Sequence, residues 1–340
     1  MMRLGYLIDW KDWFPDEDSF KQLTHINYAF ATIANPLGTV IETFERAHQI
    51  KKLKEKHPHL TVSLSIGGWG ADYFSETAAD AGNRQRFIES TLEIVNRYDF
   101  DGVDIDWEYP CIPANGISAS PSDKQNFTIL LRELREALDE KGKETGKDYL
   151  LTIAAGVQMG TGETVELDKI TQYIDYIYVM TYDLNTTGIA SHHTNLFPTS
   201  KIQDSPSASG AIETFIQNGV PKEKLLLGIA FYGRGGFGVK GPKDGFGAPY
   251  DPDQTVFYTW TKINEELLED RDFVEYWDDE AKASYLYNGD IFISYDNPQS
   301  VQEKVKYAKE KGLAGVFFWE FTSDFFGNLI HVIYEADKSE

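Results

Sequence analysis

Hydrophobic, β-branched and aromatic residues cluster in eight short runs that predict β-strands. The runs occupy residues 4–9, 25–32, 60–66, 100–108, 150–157, 175–182, 225–232 and 314–320. Most of them are separated by segments with the period of an amphipathic helix, at 43–56, 83–98, 122–141, 163–173, 211–218 and 298–311. Strands that alternate with helices along the chain pair with one another in parallel, and eight such strands close into a barrel. The pattern therefore predicts an α/β fold of the (β/α)8 TIM-barrel type.

The span between the seventh and eighth predicted strands is too long for an ordinary connection. Residues 235–293 contain repeated Gly and Pro turns and many aromatic side chains, including Phe257 and Trp260. We predict that this span is a small α+β subdomain inserted between strand 7 and helix 7, and that residues 1–234 and 294–340 form the barrel. Since the loops after barrel strands surround the active site, the subdomain is expected to form one wall of a cleft.

Composition and charge narrow the range of partners. The chain has 54 acidic and 32 basic side chains, and its formal net charge of −22 would repel nucleic acid. No apolar run approaches the ~20 residues of a membrane-spanning helix, so we expect no membrane partner. The single cysteine, Cys111, excludes an internal disulfide and a cysteine metal cluster. The N-terminus lacks the pattern of a signal peptide, which leaves an intracellular protein and a trimmed mature form as alternatives.

Residues 100–110 contain four carboxylates, Asp101, Asp104, Asp106 and Glu108. Successive side chains of a strand point to opposite faces, so Asp104, Asp106 and Glu108 share one face, while the apolar residues between them line the other. Stacked carboxylates raise one another's pKa, which keeps one of them protonated near neutral pH and suits general-acid catalysis. Taken in isolation, such acids are also compatible with metal binding.

The run Asp101-Gly-Val-Asp104-Ile-Asp106-Trp-Glu108 is similar to the DxxDxDxE signature of glycoside hydrolase family 18, the chitinases and their relatives. Further matches are spread over the whole chain: Ser65-Ile-Gly67-Gly68-Trp69, Met180-Thr-Tyr182-Asp183, Tyr232-Gly-Arg234, Tyr295-Asp296 and Trp319. The inserted span also resembles the α+β insertion domain of that family. One departure is Ala154-Ala-Gly-Val on the fifth strand, near whose end family members often have a proline.

The resemblance implies a chitinase that hydrolyses β-1,4 links between N-acetylglucosamine units of chitin or chitooligosaccharides. It further implies retention of configuration by substrate assistance, in which the acetamido oxygen of the substrate attacks C1 and forms an oxazolinium ion. Glu108 would be the general acid and base, and Asp106 would orient the acetamido group and stabilise the oxazolinium. Asp104 would share a proton with Asp106, and Tyr182 would position the acetamido oxygen. We expect a monomer without a cofactor, and the resemblance favours secretion.

The same resemblance implies a set of substrate contacts: Asp183, Arg234, Trp319, Met180, Tyr6, Phe30, Gly68 and Trp69. Structural roles are expected for Asp101, which has the opposite parity on the strand, for Ser65, which lacks a nucleophile elbow, and for Gly67. Glycines at 67 and 68 would let the cleft floor approach the acids closely. Trp10 and Trp13 could also stack on sugars, but only Tyr6, Phe30 and Trp69 lie at predicted strand ends, where such contacts are expected.

Three alternatives remain open from the sequence. An endo-β-N-acetylglucosaminidase acting on N-glycans shares the row of acids, but the inserted subdomain and Tyr232-Gly-Arg234 favour chitin. A sugar-binding lectin on the same scaffold is less favoured, because lectins of the family have typically lost the acid that is present here as Glu108. The pair His192-His193 suggests zinc in isolation, yet no third ligand is suitably spaced, and a loop is predicted instead.

Overall fold

The structure is a computed structural model that describes residues 1–12, 17–185, 188–241 and 243–339. In chain order, its strands are β1 (Met2–Ile8), β2 (His25–Ile33), β3 (Val40–Ile41), β4 (Thr61–Gly67), β5 (Gly102–Asp106), β6 (Leu150–Gly156), β7 (Tyr176–Met180), β8 (Leu225–Ala230), β9 (Tyr232–Gly236), β10 (Thr255–Thr259), β11 (Val274–Asp278), β12 (Ala283–Tyr287), β13 (Phe292–Tyr295) and β14 (Gly315–Trp319).

Strands β1, β2, β4, β5, β6, β7, β8 and β14 form a parallel sheet. The sheet closes on itself, because β1 pairs with β14 on one side and with β2 on the other. The predicted (β/α)8 barrel is therefore confirmed. The two-residue strand β3 pairs with the C-terminal end of β2 in the antiparallel direction.

Helices cover the outside of the barrel. They are α1 (Glu17–Gln22), α2 (Ile50–Lys56), α3 (Phe74–Ala79), α4 (Ala81–Tyr98), α5 (Asp123–Thr145), α6 (Leu167–Ile170), α7 (Ala208–Gln217), α8 (Trp260–Lys262), α9 (Pro298–Lys311) and α10 (Asn328–Lys338), of which α8 lies in the second sheet region described below. None of the helices in the described ranges has the length and apolar character that a membrane crossing requires.

Helix α4 shows how the sequence sets these elements. The Asp80 carboxylate accepts a hydrogen bond from the Asn83 N–H at 3.0 Å, which caps the first turn. Phe87 and Ile94, two turns apart, are buried against the strands, and Asp99, which follows the last residue of the helix, adopts the left-handed conformation. The buried stripe therefore faces the barrel, as the helical period predicts.

The barrel wall separates two apolar regions. Leu4, Tyr6 and Phe317 belong to a cluster on the inner side. The outer side, between strands and helices, holds the largest core cluster, in which Trp107 stacks on Phe74 with ring centroids 5.3 Å apart. Alternate side chains of β5 therefore point to the acid-lined interior and to this outer core.

A second, antiparallel sheet follows β8, with the strand order β10-β9-β13-β12-β11. Strands β9 and β13 approach so closely that a Cβ atom at Gly235 would lie 1.8 Å from the carbonyl oxygen of Phe292. Only glycine fits this contact. The sheet extends from Tyr232 to Tyr295, and the division of the chain at 235 and 293 stays a prediction.

Candidate active site

The row of acids runs along β5 to the C-terminal end of the barrel. Asp104 and Asp106 lie on the strand and are buried, whereas Glu108 follows two residues after its end and is partly exposed. This is the end of the barrel at which such folds carry reactive groups.

Asp104 is fully enclosed by hydroxyl donors from three other strands. Its Oδ2 atom accepts hydrogen bonds from the Tyr6 hydroxyl at 2.8 Å and from Ser65 Oγ at 2.7 Å. Its Oδ1 atom accepts from Thr152 Oγ1 at 2.8 Å. Burial raises the pKa of Asp104 to about 6, although these hydrogen bonds act to lower it.

Asp106 differs from Asp104 because its Oδ1 atom is buried without a hydrogen-bond partner among the residues described. Burial raises the pKa of Asp106 well above its usual value, and the charges of Glu108 and Asp104 raise it further. A buried polar atom without a partner is costly, so it marks a place where a ligand group can bind.

Glu108 has the titration behaviour of a general acid. Burial raises the pKa of Glu108 to about 7; a hydrogen bond with Tyr109 acts against this shift, and the charge of Asp183 adds to it. A carboxyl group with such a pKa keeps its proton close to neutral pH.

Tyr182 and Asp183 follow β7, which ends at Met180. Burial raises the pKa of the Tyr182 hydroxyl well above its usual value, so the group is a hydrogen-bond donor at neutral pH. Asp183 adopts a left-handed backbone with φ of 55°, and its Oδ1 atom lies 3.0 Å from Arg234 Nη1 on β9. Burial alone would raise the pKa of Asp183, but contacts with His193 and Arg234 outweigh it and lower the pKa.

Aromatic rings cover one side of the site. Trp319, the last residue of β14, stacks on Phe30 with centroids 5.6 Å apart and ring planes 16° apart. Trp10 stacks on the same Phe30 ring at 6.3 Å. Trp69 is 62% exposed and lies 6.4 Å from the Tyr109 ring. Flat, exposed rings of this kind suit the apolar faces of pyranose sugars.

Apart from the enclosed Asp104, the acids, Tyr182, Arg234 and the aromatic rings described above line one cleft with a volume of about 690 Å³. Its walls contain Tyr6, Trp10, Phe30, Gly67, Gly68, Trp69, Asp106, Glu108, Tyr109, Ala154, Gly156, Val157, Gln158, Met180, Tyr182, Asp183, Tyr232, Arg234, Phe257 and Trp319. The lining thus comes from seven barrel strands or the loops after them and from β9 and β10, and it includes all eight of the predicted substrate contacts.

Two glycines form the floor beside the acids. A Cβ atom at Gly67 would lie 2.0 Å from the carbonyl oxygen of Asp106, and one at Gly68 would lie 2.8 Å from the Phe30 ring. Both residues have positive φ angles, 123° and 92°. Any side chain here would push Asp106 or Phe30 out of place.

The described residues contain no group of three or more His, Cys, Asp or Glu side chains placed to hold a metal ion. The family model described as glycosyl hydrolases family 18 matches residues 2–324. The chain belongs to glycosyl hydrolase family 18. It is therefore a glycoside hydrolase.

The chain is similar to proteins named as chitinases and to enzymes of known structure. Chitinase A1 of Niallia circulans is 38% identical over 94% of this chain, which spans 56% of that protein's length. Chitotriosidase-1 of Mus musculus is 33% identical over 94% of this chain and 73% of its own length. The solved structure of a family 18 N-acetylglucosaminidase from Paenibacillus barengoltzii has a TM-score of 0.93 at 38% identity and covers 98% of this chain and 99% of that one.

Two of the predicted structural residues of this family 18 enzyme lie in different parts of the barrel. Ser65 binds Asp104 in the interior. Asp101 lies at the opposite, N-terminal end of β5, where its Oδ1 atom is 2.7 Å from Lys54 Nζ and its Oδ2 atom accepts from the Val62 N–H at 3.0 Å. These contacts support a structural role for Asp101, which stays a prediction.

Several cleft residues of the family 18 site were not predicted as contacts. Tyr109 directly follows Glu108, and this adjacency was an available clue. Phe257 belongs to the predicted insertion, but only the antiparallel pairing of β9 and β10 brings it to the cleft. There its ring stacks on Tyr232 with centroids 4.7 Å apart. Gln158 lies after β6, where the sequence departs from the family pattern. Trp13, a possible sugar platform, lies outside the described residues.

Proposed function

We propose that this family 18 enzyme is a chitinase that hydrolyses β-1,4 links between N-acetylglucosamine units with retention of configuration. The observation that carries the proposal is that Glu108, whose pKa is raised to about 7, lies near Asp106, whose buried Oδ1 atom has no hydrogen-bond partner in the described ranges. A protonated acid can protonate the glycosidic oxygen, and a nearby acceptor without a donor can bind the N–H of an acetamido group.

A retaining glycosidase ordinarily needs a second carboxylate that attacks the anomeric carbon. Asp104 is engaged by three hydroxyl donors inside the barrel, and Asp183 is paired with Arg234. Asp106 lies buried beside Glu108. Family 18 enzymes are substrate-assisted exceptions to this rule, and the proposed nucleophile is accordingly the substrate's own acetamido oxygen.

In the first step, the acetamido oxygen forms a bond to C1 while the C1–O bond of the glycosidic link breaks. Glu108 donates its proton to the departing oxygen, and the sugar becomes an oxazolinium ion. Asp106 accepts a hydrogen bond from the acetamido N–H and stabilises the positive charge of the oxazolinium. Asp104 shares a proton with Asp106, so the three acids titrate as a set. The Tyr182 hydroxyl holds the acetamido oxygen near C1.

In the second step, Glu108 is a carboxylate and accepts a proton from water, whose oxygen attacks C1. The C1–O bond of the oxazolinium breaks, which regenerates the acetamido group and leaves the product in the β configuration. Glu108 is protonated again for the next cycle. Glu108 therefore acts as an acid in the first step and as a base in the second, and its protonation state is the same before and after the cycle.

The remaining contacts bind the chain of sugars. The ring of Trp319, backed by Phe30 and Tyr6, forms the floor under the reacting sugar. Asp183 and Arg234 bind hydroxyl and carbonyl groups, and the rest of the proposed set completes the subsites: Met180, Gly68 and Trp69. The proposed subdomain of residues 235–293 forms one wall, and the enzyme acts as a monomer without a cofactor.

Structures of relatives support an oligosaccharide substrate. A class V chitinase mutant from Nicotiana tobaccum was solved in complex with NAG4 and has a TM-score of 0.88 at 27% identity over 99% of each chain. The Paenibacillus barengoltzii relative is instead described as an N-acetylglucosaminidase. Both names refer to N-acetylglucosamine, and the size of the products released from a chitooligosaccharide would distinguish a chitinase from an N-acetylglucosaminidase.

A timed product profile on chitohexaose and on an N-glycopeptide tests the proposal. We expect chitohexaose to be shortened and the glycopeptide to remain intact. Release of the N-glycan with no shortening of chitohexaose would replace the proposal with an endo-β-N-acetylglucosaminidase. Binding of chitohexaose without any cleavage would indicate a lectin.

A further inference from the structure

His193 lies behind the cleft and is only 1% exposed, yet it binds a residue that lines the cleft. Its N–H donates a hydrogen bond to Ser294 Oγ at 3.0 Å, and its carbonyl oxygen accepts from the Leu184 N–H at 3.0 Å. Its Nδ1 atom accepts from the Asp183 N–H at 3.2 Å. His193 thus attaches the segment that follows β7 to strand β13 of the second sheet.

These contacts complete a closed circuit of four residues. Ser294 on β13 is the register partner of Arg234 on β9. Arg234 Nη1 lies 3.0 Å from Asp183 Oδ1, and Asp183 is in turn held by the His193 ring. The left-handed backbone of Asp183, with φ of 55°, is disfavoured for a residue with a side chain, so it depends on such local bonds. Of the four residues, Asp183 and Arg234 line the cleft, and His193 and Ser294 support them.

We propose that His193 is a positioning residue that sets the Asp183–Arg234 pair across the junction of the barrel and the second sheet. The consequence for substrate binding rests on the proposed function, in which this pair binds the sugar. The ring acts through Nδ1, which accepts from the Asp183 N–H at 3.2 Å and also lies 3.4 Å from Asp183 Oδ1, whereas its Nε2 atom is buried without a hydrogen-bond partner among the described residues.

The neighbouring His192 provides a matched comparison. It is also buried, but its Nε2 atom lies 3.3 Å from Asp278 Oδ2, and its ring packs against Phe246 and Tyr285 of the second-sheet core. Substituting the two histidines separately therefore distinguishes two effects of losing a buried imidazole: a general loss of stability and a specific loss of the support for Asp183.

Three variants test the proposal: His193→Leu, which removes the acceptor, His193→Asn, which offers a side-chain oxygen in place of Nδ1, and His192→Leu, the control. With a soluble chitooligosaccharide, we expect His193→Leu to raise KM about tenfold with a smaller change in kcat. Loss of a contact that binds the substrate equally in the ground state and the transition state has this effect. His193→Asn should restore KM to within about twofold of the parent. His192→Leu should lower the melting temperature and leave KM unchanged.

Equal KM values for His193→Leu and His192→Leu would overturn the proposal. If His193→Leu does not fold, the folded His193→Asn variant decides, because a KM raised about tenfold in it contradicts the acceptor role. A crystal structure of either folded His193 variant adds a readout that needs no substrate. Asp183 and Arg234 should stay 3.0 Å apart with Asn and separate with Leu, and unchanged separation with Leu would also overturn the proposal.

Failure of the proposed function has a different outcome. In that case the parent enzyme itself does not shorten chitooligosaccharides, whatever residue occupies position 193. The separation of Asp183 and Arg234 in the His193→Leu crystal structure then decides the positioning role alone.

Discussion

Asp104 and Glu108 are carboxylates of one short segment, yet their surroundings differ. Three hydroxyl groups donate to Asp104, which is fully buried, and Glu108 lies in the cleft beside Tyr109. The charge of Asp183 adds to burial in raising the pKa of Glu108 to about 7. The environment, more than the residue type, therefore makes Glu108 the candidate for the general acid.

Replacing Glu108 by Gln removes the acid but keeps the shape of the side chain. We expect turnover of chitooligosaccharides to fall by at least ~100-fold, as loss of a general acid does, while oligosaccharide binding persists. Steady-state kinetics and calorimetric binding on the same preparation check both expectations. Activity within a few-fold of the parent would refute the role of Glu108.

The same variant has a predicted effect on stability. Because the pKa of Glu108 rises from 4.5 to about 7 on folding, its contribution to stability is complete below pH 4.5 and lost as pH rises to about 7. Relative to the parent, Glu108→Gln should therefore gain free energy of unfolding across that interval and keep the gain above it. Denaturant unfolding at several pH values measures the difference, and a constant difference would contradict the raised pKa.

The charge of Asp183 should be visible in the pH profile. With Glu108 as the acid, kcat/KM of the parent should fall as pH rises through about 7. Asp183→Asn removes a negative charge that raises the pKa of Glu108, so this alkaline limb should move to lower pH. Asp290→Asn, an equal change of charge at an exposed ion pair with Lys240, should leave the limb in place. Identical limbs in all three proteins would contradict the coupling.

At the residue scale, the row of acids was predictable because the strand period of two fixes which side chains share a face. The donors to Asp104 were only partly predictable. Ser65 belongs to a motif, but Thr152 comes from β6, and its contact exists only once the barrel strands lie side by side. Contacts between distant strands depend on register, which one strand's pattern does not specify.

At the scale of elements, the predicted strand at 225–232 is divided in the structure. Strand β8 ends at Ala230, and β9 begins at Tyr232 and belongs to the second sheet. The apolar run continues across this change of direction, so periodicity alone does not reveal it. Arg234 is consequently placed by the second sheet and meets Asp183, which follows barrel strand β7.

Helix α9 is joined to the ends of β8 and β13 through a buried ion pair. Lys304 Nζ lies 2.6 Å from Asp296 Oδ2, with the two side chains 0% and 1% exposed, and the same carboxylate oxygen accepts from the Ala230 N–H at 3.0 Å. Removing one partner of a buried pair leaves an uncompensated charge, which costs roughly 3–5 kcal/mol. The element is therefore sensitive to a single substitution.

Lys304→Met should lower the free energy of unfolding by roughly 3–5 kcal/mol. Lys306→Met on the same helix removes an exposed lysine, 67% accessible, whose ion pair with Glu310 spans 4.0 Å. That control should change the free energy of unfolding by less than ~0.5 kcal/mol. Denaturant unfolding of both variants at one pH makes the comparison. Equal decreases in the free energy of unfolding would show that the buried ion pair contributes no more to stability than the exposed one.

At the scale of the whole molecule, the barrel and the second sheet place groups from across the sequence around one cleft. The alternation of strands and helices was sufficient to predict the barrel, because its period is strong and repeated eight times. The position of Phe257 over Tyr232 was not, because it depends on the antiparallel register of β9 and β10. Substrate assistance is a claim about this whole arrangement, since no single residue establishes it.

The configuration of the first products tests that claim most directly. Chitohexaose is mixed with the enzyme, and proton NMR spectra are recorded before the anomers equilibrate, with cellohexaose, which lacks acetamido groups, as the matched control. We expect β-anomers from chitohexaose at the earliest times and no cleavage of cellohexaose. Initial α-anomers, or cleavage of cellohexaose, would contradict a retaining mechanism that uses the substrate's acetamido group.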